Sequence, residues 1–257
     1  MVPGSESGLM KIQEHASYVQ QGILAESQIS MGTHGKLDLK WWYQESDRNI
    51  PPAVFQSHMA SHQKDNHHRF MLNYQTIRGK NLWMIRSAWF NETLEYTDSV
   101  SVSSLSQWTT QTLEAEWRSM PGRQVYVSSG ISAANTGATA TNYQNGHHRL
   151  LLALFASLRW DILPERWQLL ANLRQEALPD KLLPLTFSGA LSWKAHQNLT
   201  LKANSGMNYR LPTFNDLYWQ PGGNPDLLPE SGWSHDLGAT YHAGNIKAGL
   251  TLFYRST

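Results

Sequence analysis

The sequence predicts an all-β chain, an antiparallel up-and-down transmembrane β-barrel. Three observations carry that expectation. Apolar residues recur at every second position in a dozen segments, which is the period of a strand. Short and long connections between the segments alternate strictly, as between the tight turns on one side of an outer-membrane barrel and the long loops on the other. Tryptophans gather next to the short connections, where amphipathic rings would lie at a membrane–water boundary.

The segments are 23–31, 34–44, 67–77, 81–91, 105–118, 122–133, 147–160, 165–176, 185–194, 197–208, 233–242 and 245–257. In 34–44, Leu37, Leu39, Trp41 and Tyr43 oppose Lys36, Asp38 and Lys40. In 81–91 the pattern is blurred: Arg86 has to face inward and takes Met84 and Phe90 with it. From 147 to 160, Leu150, Leu152, Leu154 and Leu158 share a face opposite Arg149, Ser157 and Arg159. Trp167, Leu169, Ala171 and Leu173 then oppose Gln168, Asn172 and Arg174. Leu191 and Trp193 oppose Ser192 and Lys194, and Leu199, Leu201 and Ala203 oppose Lys202 and Asn204. Ile246, Leu250, Leu252 and Tyr254 close the series and still alternate at Thr257.

Short turns fall near 32–35, 79–80, 121–122, 164–165, 196–197 and 243–244. The long polar connections are 45–66, 91–105, 134–146, 177–184 and 209–233. Greek-key sandwiches have no reason to keep that order. Trp83, Trp117, Trp160, Trp167 and Trp193 lie within a few residues of short turns and form the expected aromatic girdle.

Composition narrows the function classes. The 21 Lys+Arg against 20 Asp+Glu leave a net charge of +1, which speaks against a nucleic-acid partner. Cysteine is absent, so thiolate metal sites, cysteine nucleophiles and disulfides are excluded. Mean hydropathy is −0.46, and the longest apolar run, 150–156, is far too short for a spanning helix. No signal-peptide core is visible in residues 1–21, and 1–22 reads as a polar N-terminal loop ahead of a barrel domain at 23–257. No spacing singles out a nucleophile or a carboxylate pair, so an enzyme is not expected. No cofactor is expected either.

One stretch is more specific than periodicity. It runs Tyr209-Arg210-Leu211-Pro212-Thr213-Phe214-Asn215-Asp216-Leu217-Tyr218-Trp219, then Gly223-Asn224-Pro225-Asp226-Leu227-Leu228-Pro229-Glu230. Its prolines fix φ and remove N–H donors, so it cannot be a plain ladder strand, and Gly222–Gly223 permits a tight reversal. Arg210, Asp216 and Glu230 offer a charge network. It either anchors the loop's return into the wall or touches ligand.

This stretch resembles a barrel signature of the TonB-dependent outer-membrane receptors, with the cobalamin- and siderophore-receptor branch the nearest likeness. Ser46–Pro52 and His62–Asp65 look like an outer loop of that family, and Leu154–Ala156 with Trp167–Arg174 look like one of its hairpins. The resemblance implies a 22-strand barrel around a plug, of which this chain would supply about 12 strands, without plug, coupling box or closing strand. Such an internal fragment is not expected to transport alone. The implied function is import of a scarce nutrient (siderophore, haem or cobalamin) across the outer membrane with TonB-supplied energy. The partners are then membrane lipid, the TonB complex through regions outside this chain, and a small ligand such as a metal chelate or cobalamin.

On that reading Lys36, Asp38, Lys40, Arg149, Gln168, Asn172, Arg174, Lys202 and Asn204 line the lumen, and loops 46–66, 134–146 and 209–232 form the ligand vestibule. Leu150, Leu152, Leu154, Leu169, Leu191, Leu199 and Leu250 face lipid. Arginine in place of Leu152 or Leu191 is expected to cost about 2–4 kcal/mol at the bilayer midplane. His58 and His62, four apart, are weak metal candidates that need a helix to act together. The alternatives are a complete smaller porin or barrel hydrolase, or a soluble β-rich binding module.

Overall fold

The computed structural model describes residues 2–3, 10–11, 15–52, 61–98 and 103–257. In chain order its elements are β1 (Val2–Pro3), β2 (Met10–Lys11), β3 (Tyr18–Met31), β4 (Gly35–Ile50), β5 (Ser61–Arg78), β6 (Asn81–Asp98), β7 (Ser103–Gly122) and β8 (Val125–Ala140). There follow β9 (His147–Leu163), β10 (Trp167–Leu178), β11 (Lys181–Leu182), β12 (Thr186–His196), β13 (Leu199–Arg210), α1 (Phe214–Tyr218), β14 (Glu230–Ala243) and β15 (Ile246–Ser256). β1 pairs with β2. All other strands form one antiparallel sheet in strict chain order from β3 to β15, with the short β11 folded back on β10. The sheet is open, with β3 and β15 at its edges.

Each of the twelve segments read from alternation falls on one long strand of this sheet, but most strands run further. β3 starts at Tyr18, so residues 18–22 belong to a strand and not to a loop. The outer ends of β4 and β5 continue to Ile50 and from Ser61, which converts Ser46–Asn49 and His62–Asp65 from loop to paired strand. Likewise β6 reaches Asp98, β7 begins at Ser103 and β8 reaches Ala140, leaving only 141–146 of the longer loop expected there. In these outer ends polar residues occupy both faces, so no apolar period marks a strand that backbone bonding nonetheless continues.

The register sorts side chains onto two faces. One row reads Trp83, Trp117, Ser129, Ala156, Leu173, Phe187, Met207, Trp233 across neighbouring strands. The opposite face carries Arg86 against Glu114, Met84 against Glu116, Asn172 between Ser157 and Ser188, and Lys202 against Ser192. Arg86 and Met84 thus share a face, and Met84 is buried. Side chains of the polar face reach past an intervening strand, Arg174 on β10 bonding Ser132 on β8 across β9. Only the inside of a curved sheet brings such groups together, so the polar face is concave and the apolar face convex. On the concave side the Phe155 ring lies where a side chain at Gly130 would be, 2.5 Å from the position of its missing Cβ.

The same row measures the strand tilt. Trp83 lies about three residues from the short turn at 79–80, whereas Trp233 lies about eleven from the turn at 244–245. Taking the short turns as one level, the row climbs about eight residues, ~26 Å, over seven strand spacings of ~4.8 Å. The ratio is a tilt of about 38°, inside the 35–45° range of closed barrels.

Two aromatic belts follow from that level. Trp83, Trp160, Trp167 and Trp193 project from the convex face near the short turns, with Trp117 slightly further along. Trp83 and Trp117 rings lie 6.3 Å apart, and Trp167 stacks on Trp193 at 4.9 Å. A second belt stands further along the strands. Trp41, Phe70 and Trp89 form one hydrogen-bonded row on the convex face, and Phe187, Trp233 and Tyr254 stand at similar height further round. The belts are about six residues apart along the strands, ~16 Å in height at this tilt.

Candidate vestibule at the outer end

The signature segment builds a roof over the concave face. Thr213 starts α1 because its hydroxyl accepts from the Asp216 N–H at 3.1 Å while the Asp216 carboxylate accepts from the Thr213 N–H at 2.8 Å. The sequence signal for this reciprocal capping box is the Thr-x-x-Asp spacing of 213–216. The donated Thr213 N–H and hydroxyl contact, with Arg210 nearby, hold the Asp216 carboxyl below its ordinary range. Arg210 lies 3.7 Å from Asp216 and 3.3 Å from Glu230, so these three charged residues form one network. It spans the two strand ends from which the loop leaves and returns. Gly222, at φ +115°, makes the reversal a side chain would strain.

Residues far away in sequence pin the roof down. Arg149 donates to the Pro212 carbonyl at 2.8 Å and stacks over the Phe214 ring at 4.9 Å. His147 stacks face to face on Tyr218 at 3.5 Å. The Gln220 N–H donates to the Asn142 carbonyl at 2.9 Å, Asn142 returns a bond to the Gln220 carbonyl at 3.3 Å, and the Tyr143 hydroxyl donates to Asn215. Burial pushes the Tyr143 phenol up. The loop 141–146 and the signature are therefore one bonded assembly. Leu217 is buried beneath it, while Leu227 and Leu228 are exposed.

Between this roof and the concave wall of β6, β7 and β8 lies a cavity of about 750 Å³. Tyr96, Trp108, Tyr143, Phe214 and Trp219 give it aromatic surfaces, and Ser104, Ser106, Thr136 and Asn142 supply hydroxyls and an amide. Below it Glu92 accepts from the Trp108 indole and from Arg69 at 3.0 Å, and Arg69 covers Trp42. Alternation alone did not single out Trp42 or Trp108, because it expects aromatics on the convex face.

Of the expected lumen residues, Lys36, Asp38, Lys40, Gln168, Asn172, Arg174, Lys202 and Asn204 share the concave face with Arg149. Lys36 meets Asp38 at 3.1 Å, Lys40 meets Glu26 at 2.5 Å, and Arg174 meets Glu176 at 2.7 Å. Only Arg149 reaches the roof. Leu150, Leu152, Leu154, Leu169, Leu191, Leu199 and Leu250 all lie on the convex face. At the tilt found above, however, Leu152 stands about 16 Å higher than Leu191, above the upper belt, so the two are not equivalent midplane positions. His62 sits in β5 with its ring nitrogen 2.7 Å from Asp47, not on a helix; His58 lies outside the described residues.

Comparison with known proteins places this geometry. The family model described as TonB dependent receptor-like, beta-barrel, matches residues 27–257. A vitamin B12 transporter, BtuB, of Photobacterium profundum is 21% identical over 236 residues, 88% of this chain and 37% of its own length. BtuB of Vibrio vulnificus is 50% identical over 51 residues, 20% of this chain and 8% of its own. Among solved structures, the siderophore receptor PirA of Pseudomonas aeruginosa superposes with a TM-score of 0.78 at 12% identity, covering 93% of this chain and 46% of that one. The ferric citrate transporter FecA gives 0.70 at 13% identity, over 95% and 44%. The chain thus spans less than half the length of these relatives.

Proposed function

The chain belongs to the TonB-dependent receptor-like β-barrel family, and from that premise we propose that it supplies wall and outer vestibule of an outer-membrane receptor importing a scarce nutrient. The ligand is of the corrinoid, haem or metal-chelate kind, and import uses energy delivered through TonB. The convex face, belted by two rows of aromatics, lies in lipid; the concave face, with its Arg–Glu ladder, lines the lumen. The signature roof and the cavity beneath it form the ligand vestibule at the long-loop end. The action is binding and gated passage, with no bond made or broken in the ligand.

The carrying observation is the pairing of an open, tilted sheet of one apolar and one charged face with aromatic belts at two heights. A soluble module would bury its apolar rows, yet Leu154, Leu237 and Leu250 are each more than 60% exposed. The test is expression of the receptor from its gene in an outer-membrane host lacking its own corrinoid and iron receptors. Growth on one such nutrient should appear and should vanish when TonB is deleted. Recovery in the soluble fraction, or growth indifferent to TonB, would refute the reading.

A further inference from the structure

Charge around the vestibule narrows the ligand. Among the described residues, no Asp, Glu, Lys, Arg or His lines the 750 Å³ cavity. The charged groups nearest to it already have partners: Glu92 holds Arg69 and the Trp108 indole, Arg149 holds the Pro212 carbonyl, and Asp216 caps Thr213. The outer connections repeat the pattern. Residues 51–60, 99–102 and 141–146 contain no Asp, Glu, Lys or Arg; 179–185 contributes Asp180 and Lys181, and 211–229 contributes Asp216 and Asp226. Across five connections there is one lysine and no arginine.

We infer that the vestibule selects a ligand of no net charge that presents an apolar surface ringed by amide or hydroxyl groups, and that it discriminates against anionic chelates. The inference rests on the receptor function proposed above and assigns the ligand's chemistry. An anion entering a cavity of low polarity loses hydration and needs a cation to replace it. Here the described lining offers aromatic and aliphatic faces with neutral donors and acceptors. Rings such as Trp108 and Trp219 favour contact with apolar, polarisable surfaces, and Ser106, Thr136 and Asn142 can bond a carboxamide or hydroxyl rim. An anionic ligand would call for arginines free to clamp phosphate or carboxylate, and the two nearest this roof are engaged, Arg149 with the Pro212 carbonyl and Arg210 with Asp216 and Glu230.

The test uses outer-membrane vesicles carrying the receptor expressed from its gene, with three probes. Cyanocobalamin and ferrichrome, a ferric trihydroxamate, carry no net charge; ferric enterobactin, a tris-catecholate, is anionic. One neutral probe should bind at least tenfold more tightly than the anionic one, and which of the two does so tells a corrinoid from a hydroxamate. Trp108→Phe and Trp219→Ala should weaken that binding about tenfold, with heat-modifiable migration confirming a folded barrel. Ser106→Lys, which adds a cation to the cavity wall, should narrow the preference at least threefold. Tighter binding of the anionic probe overturns the inference while leaving the receptor function intact. Unchanged binding in both tryptophan variants overturns it too, because another part of the receptor then fills the cavity. Binding of none of the three overturns it together with the receptor function.

Discussion

Arginine in place of Leu191 should damage membrane insertion far more than arginine in place of Leu152, although both leucines project from the convex face. Leu191 lies about six residues from its short turn at 197–198 and Leu152 about twelve from the turn at 164–166. With the belts about four and ten residues from the turns, Leu191 falls close to the middle of the apolar band and Leu152 just beyond its upper edge. A guanidinium at the midplane of a transmembrane barrel costs about 2–4 kcal/mol, and near the interface about 0–1. The two variants should therefore differ by about 2–3 kcal/mol, roughly 30- to 150-fold in the folding equilibrium. Urea titration of the receptor folded into lipid vesicles, followed by heat-modifiable migration, measures that difference. Equal losses, or a greater loss for Leu152→Arg, would refute the tilt and the level assigned to the short turns.

Other consequences are as direct. Bromine placed at increasing acyl depth should quench Trp83 and Trp89, each kept as a single emitter, symmetrically from the two leaflets; quenching of both from one leaflet would contradict two belts. Glu116, 5% exposed between Arg86 and Arg118, cannot be lost quietly: Glu116→Ala should cost about 1–2 kcal/mol in the same urea assay, and a neutral outcome would make the ladder ornamental. Thr213→Ala should cost about 1 kcal/mol of local stability, read as faster proteolytic nicking within 211–229. The Asp216 carboxyl is held low in the folded loop, so the cap is at full strength above the ordinary carboxylate range of about 4 and fades as pH falls through the lowered value. Nicking of wild type should therefore rise only in strong acid; a midpoint above pH 5 would exclude Asp216 as the cause.

Much of the architecture was legible in the sequence. Strands whose one face is apolar and other face wet announce themselves, and so Leu37 to Tyr43 or Trp167 to Arg174 could be read with their facing. The same physics hid the outer thirds of β4 to β8, where both faces are polar and only backbone bonding defines the strand. The upper belt was obscured because Trp41, Phe70 and Trp89 lie far apart in sequence; their equal distance from short turns was the available clue. Contacts such as His147 on Tyr218 or Arg149 on Pro212 join residues more than sixty positions apart, and no local pattern encodes them. Asp216 three places after Thr213, by contrast, is a local signal that the sequence carries by itself.

Asn142 and Gln220 exchange bonds across the mouth, over strands that belong to three different hairpins. Two loops laced in this way cannot swing apart one at a time. Any movement of one must carry the other with it, from the points where β8, β9, β13 and β14 leave the wall, so that stiffening either loop slows the pair.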